Sequence, residues 1–429
     1  MSSSPDFEAR MGALVGRDQD ALRCPYPFFA QLRAERPVYF SDALGAWAVT
    51  SYDDVVAVLH DTERFSSFMP TGPQRRGEVL GPMLRQLAAD PDMADAVRAV
   101  FAQGSATVLL NADPPDHVRQ RKLVTGAFRP SRLRAMEPSI RDLAVSLAAG
   151  FRHRGHVEVV AEFAVPLPMT VIARALGVGD HDLATFKRWS DDLVMPIGNQ
   201  SPSLDQVRGY VTSSVEFADY FRAVLHRRRA EPRDDIVSDV ANAELDGERL
   251  SEAEQLAMLT QFLVAGNETT TKLVTNIALH LAEDAELQAR VRADRQLVEG
   301  LVEEALRFEA PVGGLFRTAK VDVALGGQTI GAGDAVWVLY GAANRDGARF
   351  AEPDRFDECR ADGREHLSFG HGEHYCIGAG LARLEARLGT EALLDATRDL
   401  RLAAGNDFAM EDTFILRGLR RLDLEFDPA

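Results

Sequence analysis

The sequence predicts an α+β protein, predominantly α-helical. Apolar residues recur at spacings of three and four through most of 52–310 and again over 378–397. Short runs rich in β-branched and aromatic residues cluster near 37–50 and return over 314–340. Strands and helices are thus segregated, which excludes the regular β-α alternation of a dinucleotide-binding fold.

In chain order, Pro37-Val38-Tyr39-Phe40 and Ala46-Trp47-Ala48-Val49-Thr50 flank a turn at 42–45 and read as a hairpin. A helix follows at about 52–60. Segment 64–110 is mixed, with a loop over Met69-Pro70-Thr71-Gly72-Pro73 and one helix-like stretch at 83–102. Helices are expected at 115–126, 131–153, 165–177, 182–195, 205–230, 252–284, 286–292 and 295–309. Strand-like runs sit at 314–318, 321–325, 328–330 and 335–339, ahead of a glycine-rich loop at 369–380 and a helix at 378–397. The tail, 414–427, alternates weakly and reads as a hairpin. No repeat or low-complexity linker divides the chain, so 1–429 is expected to be one domain.

The net charge of −17, from 48 basic and 65 acidic residues, argues against a nucleic-acid binder, because a polyanion would be repelled. The cysteines Cys24, Cys359 and Cys376 form no CxxC pair and no disulfide framework, which points to a reducing cytoplasm. No apolar run of 18 residues is present, so no membrane anchor is expected, and the polar start MSSSPDFEARMG does not read as a signal peptide. A soluble monomer is the expectation.

Four places carry candidate chemistry. In Phe369-Gly370-His371-Gly372-Glu373-His374-Tyr375-Cys376-Ile377-Gly378 a cysteine precedes a helix within a glycine-rich loop. Glycines let the backbone approach a flat ligand, and a helix N-terminus favours a thiolate. On spacing alone three readings stay open: a buried structural cysteine, a metal site with His366, His371 and His374, or a ligand-facing thiolate. In Ala265-Gly266-Asn267-Glu268-Thr269-Thr270, small residues beside an acid and an alcohol interrupt a long helix. They mark either a groove for a ligand or close helix packing with threonines bonded back to earlier carbonyls. Glu304 and Arg307 share a helix face, as a salt bridge or something more. In Asp113-Pro114-Pro115-Asp116-His117-Val118-Arg119-Gln120-Arg121, His117 and Arg121 share a face and either hold an anion or are solvated.

Taken together, and in this order, these motifs resemble the cytochrome P-450 family of haem-thiolate monooxygenases. The resemblance spans nearly the whole chain, adding Pro25-Tyr26-Pro27, Phe316-Arg317-Thr318-Ala319, Asn344-Arg345-Asp346, Pro353-Asp354-Arg355-Phe356 and Arg417-Gly418-Leu419-Arg420-Arg421-Leu422. It implies a large helical part and a smaller β-rich part with haem b between them. By position, Cys376 would ligate the iron and Phe369 shield the sulfur, beside Gly378. His117, Arg121, Arg317 and His374 would hold the haem propionates, and Ala265 and Gly266 would face haem and substrate. Glu304, Arg307 and Arg355 would form a structural ion-pair network. Glu268 and Thr269 would deliver protons during oxygen activation.

The resemblance also implies an apolar substrate, a fatty acid, terpenoid, steroid or aromatic, against Phe68, Met69, Leu109, Leu263, Val312, Gly313, Leu315 and Ile415. Leu84 to Gly104 stands out as an added stretch in the segment that covers the substrate in this family. Electrons would come from NAD(P)H through a separate ferredoxin and ferredoxin reductase, since the chain carries neither GxGxxG nor a multi-cysteine cluster. Arg119, Lys122, Arg129, Arg132 and Arg383 form a candidate basic patch for the ferredoxin. A peroxygenase using hydrogen peroxide and a non-catalytic haem sensor are alternatives, and the Glu268–Thr269 pair argues against both.

Overall fold

The computed structural model describes residues 6–72, 76–102, 106–179, 183–197, 199 and 201–428. Pro73 of the expected loop, Gly104 of the added stretch and Asp182 at the start of an expected helix lie outside them. The chain groups into two compact units. One comprises Met1–Ser66, Leu133–Pro168 and Glu268–Ala429; the other comprises Ser67–Arg132 and Met169–Asn267.

The first unit holds the strands. A five-stranded sheet has the order Val38–Ser41, Ala46–Val49, Ala335–Val338, Leu315–Ala319 and Phe65–Ser66. Its first two strands form the expected antiparallel hairpin, with Val38 opposite Val49 and Ser41 opposite Ala46. Ala335–Val338 runs parallel to Ala46–Val49 and antiparallel to Leu315–Ala319. Val38, Val49, Val55, Leu59, Phe65, Val336 and Val338 bury one face of this sheet against the helix Tyr52–His60. Burying such side chains contributes roughly 1.5–3 kcal/mol each, which makes this sheet a rigid mount for residues at its strand ends.

A second, three-stranded sheet orders Thr397–Leu402, Asp423–Pro428 and His156–Glu158. The tail is therefore the centre of a sheet and not a self-contained hairpin. Local pairing there is limited, among the described residues, to the bridge of Met410 with Leu419 and the backbone bonds flanking it. Alternation within 423–428 was visible, but its partners lie far away in sequence.

Three N-terminal helices, Phe7–Val15, Gln19–Arg23 and Tyr26–Glu35, escaped the periodicity reading. The first two carry caps: the Asp6 carboxylate accepts from Ala9 N at 2.9 Å, and Asp18 accepts from Asp20 N and Ala21 N; the third has no side-chain cap and starts on proline.

The second unit is helical. Leu204–Ala230 begins on a capping box, in which Ser203 Oγ accepts from Gln206 N and Gln206 Oε1 accepts from Ser203 N. Phe217 and Phe221 pack it against Phe186 and Trp189 of Leu183–Val194. Val207 and Val211 meet Leu80, Leu87 and Val97. The expected single helix at 83–102 is two helices, Arg76–Ala88 and Ala94–Ala102. The break falls at Asp90-Pro91, because proline disfavours helix in the residue before it. Ile236–Asn242 is a further helix the periodicity did not mark, capped by Asp235 on Ser238 N. The helix Glu252–Glu283 contributes to both units, the division falling between Asn267 and Glu268.

Candidate functional site

The cysteine loop is shaped by its backbone. Gly370 and Gly372 take φ of +68° and +69°, where a side chain is strained. A Cβ on Gly372 would also stand 3.0 Å from the Leu59 carbonyl. Gly370 N donates to Leu367 O at 2.8 Å, and Cys376 N donates to Phe369 O at 2.9 Å, so the loop closes with Cys376 directly across from Phe369. Three residues later the helix Ala379–Ala396 begins, with Gly378 as its cap. A Cβ on Gly378 would lie 3.9 Å from Cys376 Sγ, an ordinary contact. Cys376 is exposed, which rules out a buried structural cysteine.

Two histidines of this region, His366 and His371, have neighbours of their own. His366 is buried, with Nε2 3.2 Å from Glu303 Oε2, and burial pushes its imidazole down. The His371 ring packs on that of His60 at 4.5 Å between centroids. Among the described residues no three His, Cys, Asp or Glu side chains are grouped to hold a metal ion.

Behind the loop sits a network that the spacing did not reveal. Arg383 lies over the Phe369 ring at 4.5 Å, donates to Glu303 at 2.7 and 3.0 Å, and donates to the Tyr375 hydroxyl at 3.1 Å. Burial alone would raise the Glu303 carboxyl. The hydrogen bonds from His366 and Arg383 outweigh burial and bring it down to about 2. Phe369 is thereby fixed on one face by a guanidinium held in place by Glu303.

Glu304 and Arg307 form a buried two-point ion pair at 2.7 and 2.8 Å. Arg307 also donates to the carbonyls of Asn344, Pro353 and Arg355. The expected third member is different. The Arg355 guanidinium is 64% exposed and pairs with Glu352, so Arg355 contributes only its backbone carbonyl. Arg360, whose side chain is 8% exposed, donates to both Glu304 oxygens at 3.2 Å. The turn after Phe356 returns Arg360, rather than Arg355, to the pair.

On the long helix, Glu268 Oε2 accepts from Lys272 Nζ at 2.9 Å, one turn on. Thr269 is its chain neighbour, about 100° around the helix. Gly266 does not open onto a ligand. A Cβ there would meet Ile172 Cγ1 at 3.1 Å and Cδ1 at 3.2 Å, so this glycine serves close packing against the helix Pro166–Ala175. Ala265 is exposed. Arg317 is buried on the strand Leu315–Ala319 and donates to Phe316 O. His374 ends a short turn at Gly372–His374. In the other unit His117 is buried on Asp116–Val124 and Arg121 is half-buried one turn further.

The expected pocket positions divide. Phe68 is exposed and Met69 half-buried. Val312, Gly313 and Leu315 are half-buried where Gly313 N donates to Ile415 O at 2.8 Å. Leu263 and Ile415 expose nothing and Leu109 almost nothing, so these three are core, not lining. The basic patch is also smaller than expected. Arg132 is ion-paired with Asp234 and Asp239, Arg119 with Glu254, and Arg383 with Glu303. Arg129 donates to Ser131 and Gly126, leaving Lys122 and Arg129 as the exposed cations not in these ion pairs.

A family model described as "Cytochrome P450" matches residues 83–398. The chain is 38% identical over 399 residues to cytochrome P450 107B1 of Saccharopolyspora erythraea, covering 92% of this chain and 93% of that one. It is similar to the structure of the cytochrome P450 CYP109Q5 from Chondromyces apiculatus. The TM-score is 0.82 and the identity 38%, over 97% of this chain and 98% of the other. A third similarity is to CYP109E1 from Bacillus megaterium, solved with testosterone. Its TM-score is 0.80 and its identity 30%, over 94% of this chain and 99% of the other.

Proposed function

The chain belongs to the cytochrome P450 family and is a monooxygenase, and from that premise we propose that it hydroxylates a lipophilic small molecule in the cytoplasm, drawing electrons from NAD(P)H through a separate ferredoxin and its reductase. The observation that carries the reading is the exposed Cys376 thiol, set by left-handed glycines ahead of a helix N-terminus. This donor set fits a haem: a soft anionic ligand, approachable from outside.

Cys376 would hold the iron of haem b, and Arg317, His374, His117 and Arg121 match the positions that would hold its propionates. When bound, the haem supplies activation of dioxygen and insertion of one oxygen atom into a substrate C–H bond. The chain's own residues supply the rest. Arg383, Glu303 and the Phe369 ring fix the loop that carries the sulfur. The Glu304–Arg307–Arg360 network anchors segment 344–360 to the helix Leu297–Phe308. Glu268 offers Oε2 to accept and pass a proton, and Thr269 offers a hydroxyl to position water on the neighbouring face.

The half-buried, apolar Val312 and Leu315 favour a lipophilic substrate. A steroid is the first class to try, because one relative was solved with testosterone. The test is a spectral-shift screen of steroids, terpenoids, fatty acids and aromatics. Turnover of each hit is then compared with a ferredoxin system and with hydrogen peroxide. Product that forms only with reducing equivalents supports the reading. Product with peroxide alone overturns the electron source.

A further inference from the structure

We propose that Lys272 and Glu411 form the route by which protons reach Glu268, an inference that rests on the monooxygenase reading and deepens it. Lys272 Nζ stands 2.9 Å from Glu268 Oε2 and 3.9 Å from Glu411 Oε1. The side chains are 38% exposed at Glu411, 3% at Lys272 and 15% at Glu268. A wet carboxylate is thus joined to an inner one by a buried amine. A distance of 3.9 Å is closed by one water or a small turn of either chain.

A buried ammonium is costly unless carboxylates compensate it, and here two acids flank the lysine. The fold makes room for it. A Cβ on Gly418 would stand 2.4 Å from Lys272 Cγ, 3.1 Å from its Cβ and 3.2 Å from its Cδ. Glu411 N donates to Gly418 O at 3.0 Å, and Met410 bridges Leu419. The narrow turn that presents Glu411 is therefore the one whose missing side chain admits the lysine stem. The bidentate arginine pairs elsewhere in this unit show how the chain builds a purely structural bridge. Here it places a lysine, whose N–H proton can be given up, where an arginine could not release one.

The transfer balances without electrons. Lys272 Nζ gives a proton to the Glu268 carboxylate at Oε2, breaking N–H and forming O–H, and Glu268 then passes that proton onward. The neutral amine takes a proton from water on Glu411, or from Glu411 once solvent has protonated it, so each proton passed on is replaced from solvent. Glu268 sits one turn from Lys272 on the same face, so the carboxylate need only rotate to serve the Thr269 side.

The test uses the haem-loaded enzyme with Lys272→Met and Glu411→Gln. In Lys272→Met the carboxylate stretch of Glu268, assigned by its loss in Glu268→Gln, shifts in the infrared spectrum. Product formation falls about tenfold or more, and hydrogen peroxide released per product rises. Glu411 is half exposed, so Glu411→Gln keeps the fold; it slows product formation and enlarges the solvent isotope effect. An unmoved carboxylate stretch in Lys272→Met overturns the proposal. So do parental product rate and isotope effect in Glu411→Gln when the thiolate–carbon monoxide band is intact. Should Lys272→Met fail to retain haem, Glu411→Gln alone decides. Absence of that band from the parent protein overturns the monooxygenase reading, and this proposal with it.

Discussion

The guanidinium of Arg307 grips both carboxylate oxygens of Glu304 from three residues away, and the two side chains are 0% and 1% exposed. Breaking such a pair by removing one partner leaves an uncompensated buried charge. Arg307→Met should cost about 3–5 kcal/mol in urea unfolding. Arg360→Ala should also destabilise, because its guanidinium completes the pair, whereas Arg355→Ala should change stability by less than about 0.5 kcal/mol. Equal losses in Arg355→Ala and Arg360→Ala would contradict the assignment of Arg360.

Glu303 governs an acid limb of stability. Its folded carboxyl lies at about 2 against an ordinary 4.5, so the folded state holds fewer protons than the unfolded one. The contribution is complete above about 4.5 and is lost as pH falls from 4.5 toward 2. Urea midpoints between pH 6 and pH 3 should fall more steeply for the parent than for Glu303→Gln, on the order of one pH unit or more of depression being visible. Parallel curves for the two proteins would contradict this.

Gly266→Ala sets helix propensity, a gain of about 1 kcal/mol, against a Cβ placed 3.1 Å from Ile172. Ile172 is itself 2% exposed. The substitution should therefore be net destabilising, by about 1 kcal/mol. Adding Ile172→Val should return stability to or above the parent's level. A stabilised single variant would show that the glycine answers to something other than packing.

Haem retention should depend on the cations matched to the propionates. Arg317→Ala should release haem to apomyoglobin faster than the parent, since a charge-assisted partner is lost in a buried setting. His117→Ala should act in the same direction. Parental release rates in both variants would argue against these roles.

Much of this was legible in the chain. Amphipathic spacing located the long central helices to within a few residues, because they bury one face each. The cysteine loop announced itself by four glycines around a cysteine ahead of a helix. What escaped depends on long-range pairing. Asp423–Pro428 finds His156–Glu158 and Thr397–Leu402 across the sequence, and no local pattern encodes that partnership. Arg355 and Arg360 lie on either side of Phe356, and only the turn between them decides which guanidinium reaches Glu304. Lys272 was readable as a cation four residues after Glu268, yet its burial depends on the absent side chain of Gly418.

The central claim is that Cys376 is the thiolate that holds haem iron. The direct measurement is the carbon monoxide difference spectrum of the reduced protein, compared with Cys376→Ser purified in the same way. The parent protein should show the long-wavelength absorption of thiolate ligation, and Cys376→Ser should lose it. A variant that keeps that band would contradict it.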